Sequence, residues 1–264
     1  MKIATILFIL ICSFVSIAQT PVNTKFDIVD FSKKFETAKW LVTYDLVAWK
    51  TSDEVMKQDK AELAKLGREW FCFQDKKNIW NAVYGKIENG RFNLVFHFTL
   101  DSDQKVSRST EKIDAEFLNL HAKALVTANE KVLETLGDKD APIFNQYIKQ
   151  NADKTFTVWL LPAFQTNGVA VYGGEAIYTI DKSAEIVIKD ESYFQENFRG
   201  FQTGNPREIW LNYSELEKPT LGAIFFVWYY KNYFTKIYLD NSNTTSTVVN
   251  GMWVHIEKEK EKEK

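Results

Sequence analysis

Cysteine is nearly absent from this chain, with two in 264 residues, and one of these, Cys12, sits inside an apolar leader. With the leader removed Cys72 stands alone, so no intramolecular disulfide can staple the fold and packing must hold it. Proline and glycine are scarce as well, at 5 and 11. No Pro-, Gly- or Ser-rich stretch marks a linker, which argues for one domain. Beyond the leader there is no apolar run of about 18 residues, so no transmembrane span is expected once the leader is cleaved. An excess of charge of one sign is missing too. The net charge is −2, which argues against a general nucleic-acid partner. G-x-S-x-G, H-E-x-x-H and a phosphate loop are all lacking. Three His and one mature Cys show no paired ligand spacing, so neither a metal nor a cofactor is expected.

What is abundant is aromatic and apolar side chain. Phe, Trp and Tyr make up 15% of the residues, and 45% are hydrophobic, a composition that excludes wholesale disorder. The N-terminus reads as a three-part secretory signal. Met1-Lys2 carries the charge, Ile3 to Val15 is apolar, and Ser16-Ile17-Ala18 offers small residues for cleavage before Gln19. Ile11 ahead of Cys12 argues against lipid attachment there. The organisation expected is therefore a signal peptide over 1–18, one α+β domain over 19–256, and a disordered Glu/Lys tail over 257–264. The location expected is periplasmic or secreted, in a bacterium.

The periodicity predicts mostly antiparallel sheet built from meanders, a short helix over about 53–66, and a long amphipathic helix over about 110–136. Ser52 and Gly67 bracket the first helix, and Ser109 or Thr110 and Gly137 bracket the second. Strands are expected at 68–74, 79–87 and 91–100, joined by turns at Lys76-Lys77 and Asn89-Gly90. Further strands are read at 155–164, 169–180, 184–189, 208–213, 223–230, 235–239 and 245–256. A two-residue turn at Asn89-Gly90 places Ala82 opposite His97. It also puts Glu69, Phe71, Phe73, Trp80, Tyr84, Val95 and His97 on one sheet face. That face mixes aromatics with an acid and a titratable base, as ligand pockets do.

Three functional readings follow. The leading one is a non-catalytic envelope protein that binds a small molecule, a glycan or an envelope partner, with Trp80, Tyr84 and Tyr172 as ligand-contacting residues. The second is a hydrolase using His97 with a carboxylate, either Glu69 or Glu175. Glu175 follows Gly173-Gly174, where a bulge is expected to aim it inward. The third is a glycan-binding module with an exposed aromatic platform, for which the aromatic run 225–234 is the candidate. His121 falls on the apolar stripe of the long helix and reads as a core histidine. Ser109-Thr110-Glu111-Lys112 matches S-x-x-K, yet Ser109 reads better as a helix cap.

Overall fold

The computed structural model describes residues 26–137 and 141–259. The signal peptide, the cut before Gln19 and the last residues of the tail lie outside the described residues. Helix α1 (Ile28–Val55) opens the described chain, with the Asp27 carboxylate accepting from the Asp30 N–H. The segment expected as a short helix holds instead the last turn of α1 and the single-turn α2 (Lys60–Leu63). Composition hides α1, because Val, Tyr, Trp, Phe and Thr lean toward strands. Spacing reveals it, since Ala38, Leu41, Tyr44, Ala48, Thr51 and Val55 recur every three or four residues and are all buried.

The first sheet runs β1 (Glu69–Gln74), β2 (Trp80–Glu88), β3 (Arg91–Leu100) and β4 (Val106–Arg108), antiparallel throughout. Asn89 and Gly90 take φ of 52° and 74°, and Glu88 pairs with Arg91 as expected. The expected register holds as far as Gly85–Leu94 and then slips by one. Tyr84 pairs with Phe96, and Val83, not Ala82, faces His97. Val95 is the extra residue of a β-bulge, which reverses the inward face of β3. Phe92 therefore packs on one side of the sheet, and Phe96 and Phe98 on the other. The first turn also differs. Asp75 accepts from the N–H groups of Lys77 and Ile79, Asn78 adopts φ 60°, and Cys72 pairs with Ala82 rather than Asn81. The bulge carries Trp80 and Tyr84 to the face opposite His97, and the shift at the first turn keeps Phe71 on the His97 face.

Helix α3 (Ala115–Leu136) begins later than expected. Its cap is Asp114, whose carboxylate accepts from Phe117 N at 2.7 Å, and Gly137 ends it at φ 57°. A second sheet follows: β5 (Phe144–Gln150), β6 (Phe156–Pro162), β7 (Val169–Ile180) and β8 (Val187–Asp190), with β9 (Tyr193–Gln202) also paired to β7. In the third sheet, β10 (Glu208–Tyr213) lies parallel to β11 (Lys236–Asn241), and β12 (Thr244–Val249) and β13 (Met252–Glu257) complete it antiparallel.

Two expected strands are corrected here. Residues 223–230 belong to helix α4 (Leu221–Tyr230), capped by Thr220. The run is apolar on every side, so it shows no period, and length alone favours neither helix nor strand. Residues 245–256 form a hairpin, not one strand, turning at Asn250-Gly251 with φ of 50° and 77°. Strand β13 also runs into the Glu/Lys tail, and Lys258 bonds Asp240 at 2.8 Å.

Helix α3 covers one side of the first two sheets, burying Phe71, Val83, Phe156 and Tyr178. Helices α1 and α4 cover the other, with Tyr44, Phe96, Trp159 and Phe225 between. The first two sheets meet where Gln146 Nε2 on β5 donates to the Trp70 carbonyl on β1 at 3.1 Å. The third sheet lays Ile209, Leu211, Ile237 and Leu239 against the α1/α4 side and leaves its other face exposed.

Candidate functional site

Strand β3 brings His97 to the α3 face of the first sheet, where it is 4% exposed. Its neighbour across β2 fixes its chemistry. The side-chain amide of Asn81 donates Nδ2–H to the Ile79 carbonyl at 2.9 Å, which turns Oδ1 toward His97. His97 Nε2 then carries the proton and donates to Asn81 Oδ1 at 2.7 Å. Nδ1 keeps the lone pair, is buried, and makes no well-formed hydrogen bond, although the Glu111 backbone lies within its reach. Burial holds the His97 pKa below its ordinary value, while the Glu111 carbonyl and carboxylate pull it back up. A buried nitrogen without a partner is uncommon and calls for an explanation.

An open groove of about 570 Å³ lies beside this ring. Leu94, Val95 and Ile113 supply apolar walls, and Asn93, Glu111 and Lys112 supply polar ones. Arg108 lines it as well, but its guanidinium is held by both Glu62 carboxylate oxygens, at 2.7 and 3.0 Å. The lip is the segment between β4 and α3. It leaves the strand as Ser109 N donates to the His97 carbonyl at 2.8 Å. Ser109 does not cap α3; its hydroxyl accepts from Glu111 N at 3.2 Å. The volume and the mixed lining match a site for a small organic molecule.

The other sequence candidates lie apart from this groove. Glu69 sits at the start of β1, and its Oε2 accepts from the N–H groups of Arg68 and Ile87. Glu175 follows a bulge at Gly173, which has φ 96°, and is 4% exposed. Its Oε2 accepts from Gly222 N and from the Thr220 hydroxyl at 3.3 Å, so it serves the N-terminus of α4. Burial pushes its pKa up to about 7, against the helix N–H groups and Lys34 that lower it. Neither carboxylate bonds His97.

Trp80, Tyr84 and Tyr172 are at most 8% exposed and pack within the core under α1 and α4. The Tyr84 hydroxyl bonds Thr51 Oγ1 at 2.7 Å and so ties β2 to α1. Of segment 225–234, residues 225–230 lie in α4 and are buried or half-buried, and Tyr233 beyond its end is exposed. His121 is a core residue between Phe71 and Phe117. Its Nδ1 donates to the Phe117 carbonyl at 2.7 Å, and burial lowers its pKa to about 4.

Sequence reading missed Asn81, which only the true register brings to His97. It also missed Asp45, on the buried stripe of α1. Asp45 accepts from Asn145 at 3.0 Å, Tyr147 at 3.2 Å and Tyr229 at 2.5 Å, joining α1, β5 and α4. An acid one residue past Tyr44, inside an apolar stripe, is a signal that a helical reading of 28–55 would have exposed. Among the described residues, no group of His, Cys, Asp or Glu could hold a metal ion. No described helix is long and apolar enough to cross a membrane.

His97→Ala tests how much the buried ring contributes. The variant opens a cavity and strands Asn81 Oδ1, so a loss of about 1–3 kcal/mol is expected in urea denaturation. A variant as stable as the wild type would show that His97 carries no structural weight.

The chain matches no protein-family model, no curated protein and no solved structure.

Proposed function

We propose that the protein is an exported, non-catalytic binding protein that takes a small amphiphilic ligand in the groove beside His97. The observation that carries this reading is the buried, unpartnered Nδ1 at a groove of ligand size. A ligand seated there supplies an O–H or N–H donor to Nδ1 and apolar surface to Leu94, Val95 and Ile113. Such a donor would repay the cost of leaving a nitrogen buried and bare.

The same geometry argues against the hydrolase reading. A catalytic histidine has one nitrogen oriented by a carboxylate or an amide and the other bonded to a nucleophile. Here Asn81 holds Nε2, but no hydroxyl or thiol bonds Nδ1, and burial lowers the basicity of the ring. Export rests on the Met1–Ala18 pattern and points to the envelope of a bacterium. Intact mass of the exported protein checks it, with a chain beginning at Gln19 as the expected result.

The binding test is a fragment screen by NMR on isotope-labelled protein, using small alcohols and amides that carry a short apolar group. Fragments that bind are expected to shift the His97 Nδ1 resonance together with the amides of residues 92–95 and 109–113. His97→Phe is expected to abolish these shifts. If no fragment moves this set, or if His97→Phe responds like the wild type, the reading falls.

A further inference from the structure

The exposed aromatic surface that the sequence placed at 225–234 lies instead on the outer face of the third sheet. Parallel pairing sets Trp210 on β10 beside Tyr238 on β11. Their rings stack with centroids 4.3 Å apart and planes 17° from parallel. Trp210 is 52% exposed; Trp49, Tyr233 and Phe164 are exposed to a similar degree, but Trp210 stands on a sheet face with a second ring stacked against it. Lys236 Nζ lies 5.1 Å from the Tyr238 ring centroid and braces the pair from one end. The adjoining side chains on β11 and β12 are polar, and beyond them β13 exposes Val254 and Ile256 on the same face. Asp240 Oδ1 accepts from the Thr245 hydroxyl at 2.6 Å.

Asn212 extends the platform. It follows Trp210 by two residues on β10, so both side chains point outward, about 7 Å apart along the strand. Asn212 also lines an open groove of about 440 Å³ that runs toward β9. Gln195, Glu196, Asn197, Arg199 and Glu215 line it as well. Several of these groups are pinned. Gln195 Nε2 donates to the Asn212 carbonyl at 2.8 Å, and the Tyr193 hydroxyl donates to Glu215 Oε1. Asn212 Oδ1 accepts from Ser214 N at 3.0 Å, which leaves its Nδ2 pointing away from that turn as a donor.

We infer that Trp210, Tyr238 and the Asn212 groove form a second binding site, for a neutral oligosaccharide. Three properties select that ligand class. The C–H face of a sugar ring packs on an open aromatic face, and Trp210 offers one. Vicinal hydroxyls are donors and acceptors side by side; the Asn197 amide and the Arg199 guanidinium are planar, two-pronged partners for them, and Asn212 Nδ2 and Glu215 Oε2 add a donor and an acceptor. The fixed charges are of both signs, Glu196 and Glu215 against Arg199, so the site does not favour a polyanion. The inference is independent of the His97 groove, which lies on the first sheet.

The test is affinity gel electrophoresis of the mature protein in native gels cast with soluble neutral polysaccharides: a mixed-linkage β-glucan, a xylan, a galactomannan and a starch. Retardation in at least one gel is expected. Trp210→Ala should weaken it about tenfold, the effect of losing one stacked aromatic, and Asn212→Ala should weaken it by a smaller factor. Both positions are exposed, so circular dichroism should show an intact fold for each variant at the temperature of the gels. His97→Ala should bind as the wild type does, which separates this site from the groove on β3. Failure of all four gels to retard the protein overturns the inference, as does equal retardation of Trp210→Ala. A shift from dimer to monomer on Trp210→Ala, without sugar binding, would assign the platform to a protein contact instead.

Discussion

Gly85→Ala is expected to destabilise the protein by about 3 kcal/mol in urea denaturation, a large effect for one methyl group. The added Cβ would stand 2.3 Å from the Asn93 carbonyl and 2.7 Å from the Phe92 ring. The first of these is backbone and belongs to the paired strand, so it cannot swing away like a side-chain tip. Relief requires opening the β2–β3 pairing where the bulge at Val95 sets the register. The damage should spread accordingly, because that bulge sends Phe92 toward α3 and Phe96 toward α1. Gly90→Ala is the control. Nothing lies within 4 Å of its added Cβ, and only the strain of φ 74° remains, about 1 kcal/mol. Equal losses for the two variants would refute the steric account of Gly85.

The share of stability that Glu175 contributes should fall as pH rises toward 7. Its carboxyl holds its proton in the fold up to about pH 7, whereas the unfolded chain releases it near the ordinary glutamate value of 4.5. Between these values the folded state binds more protons than the unfolded state, so raising the pH favours unfolding. The contribution is fully present below about 4.5 and is lost above 7. A shift of that size corresponds to about 3 kcal/mol. Burial is the leading cause, and Thr220, Gly222, Leu221 and Lys34 oppose it. The histidines act in the other direction. His121 and His255 titrate near 4 in the fold, and His97 is also lowered, so their contributions grow as pH rises toward 6.5.

Glu175→Gln separates the two effects. Glutamine keeps an oxygen for Gly222 N and Thr220 but cannot ionise. The stability of Glu175→Gln relative to the wild type should therefore increase from pH 4.5 to 8. A difference that stays flat across this range would rule out a titrating Glu175.

The sequence was most legible where a local chemical rule decides the conformation. Asn89-Gly90 must turn, and it does; Gly137 must stop a helix, and it does. Both faces of the first sheet are buried, however, so apolar alternation cannot announce a slip in register, and the bulge at Val95 left no mark in the pattern. The cap of α3 went to Asp114 rather than Ser109, because both residues can accept from a first-turn N–H and only the packing of Leu118 and Ala122 against the sheet chooses between them. Helix α4 was unreadable for a related reason: a segment buried on all sides has no polar face to reveal its period.

The candidate sites follow the same division. His97 was visible as a residue, since its type announces its chemistry. Its partner Asn81 was not, because it depends on register. Trp210 and Tyr238 meet only through a parallel pairing whose strands are separated by a helix, and no short-range signal reports such a pairing.

The union of α1 with α4 also sets a schedule. Tyr229 closes on Asp45 across 184 residues of chain, and Phe35 meets Trp228 edge to face. Synthesis proceeds at roughly 5–20 residues per second, so α1 waits on the order of 10–40 s before its partner helix exists. During that interval the side of α1 that α4 will cover has nothing against it, and the strands of the first sheet can mask only part of the helix. A chain in that state is a natural client for a holding chaperone. Contacts this distant in sequence thus decide how long the nascent protein must be kept from sticking to its neighbours.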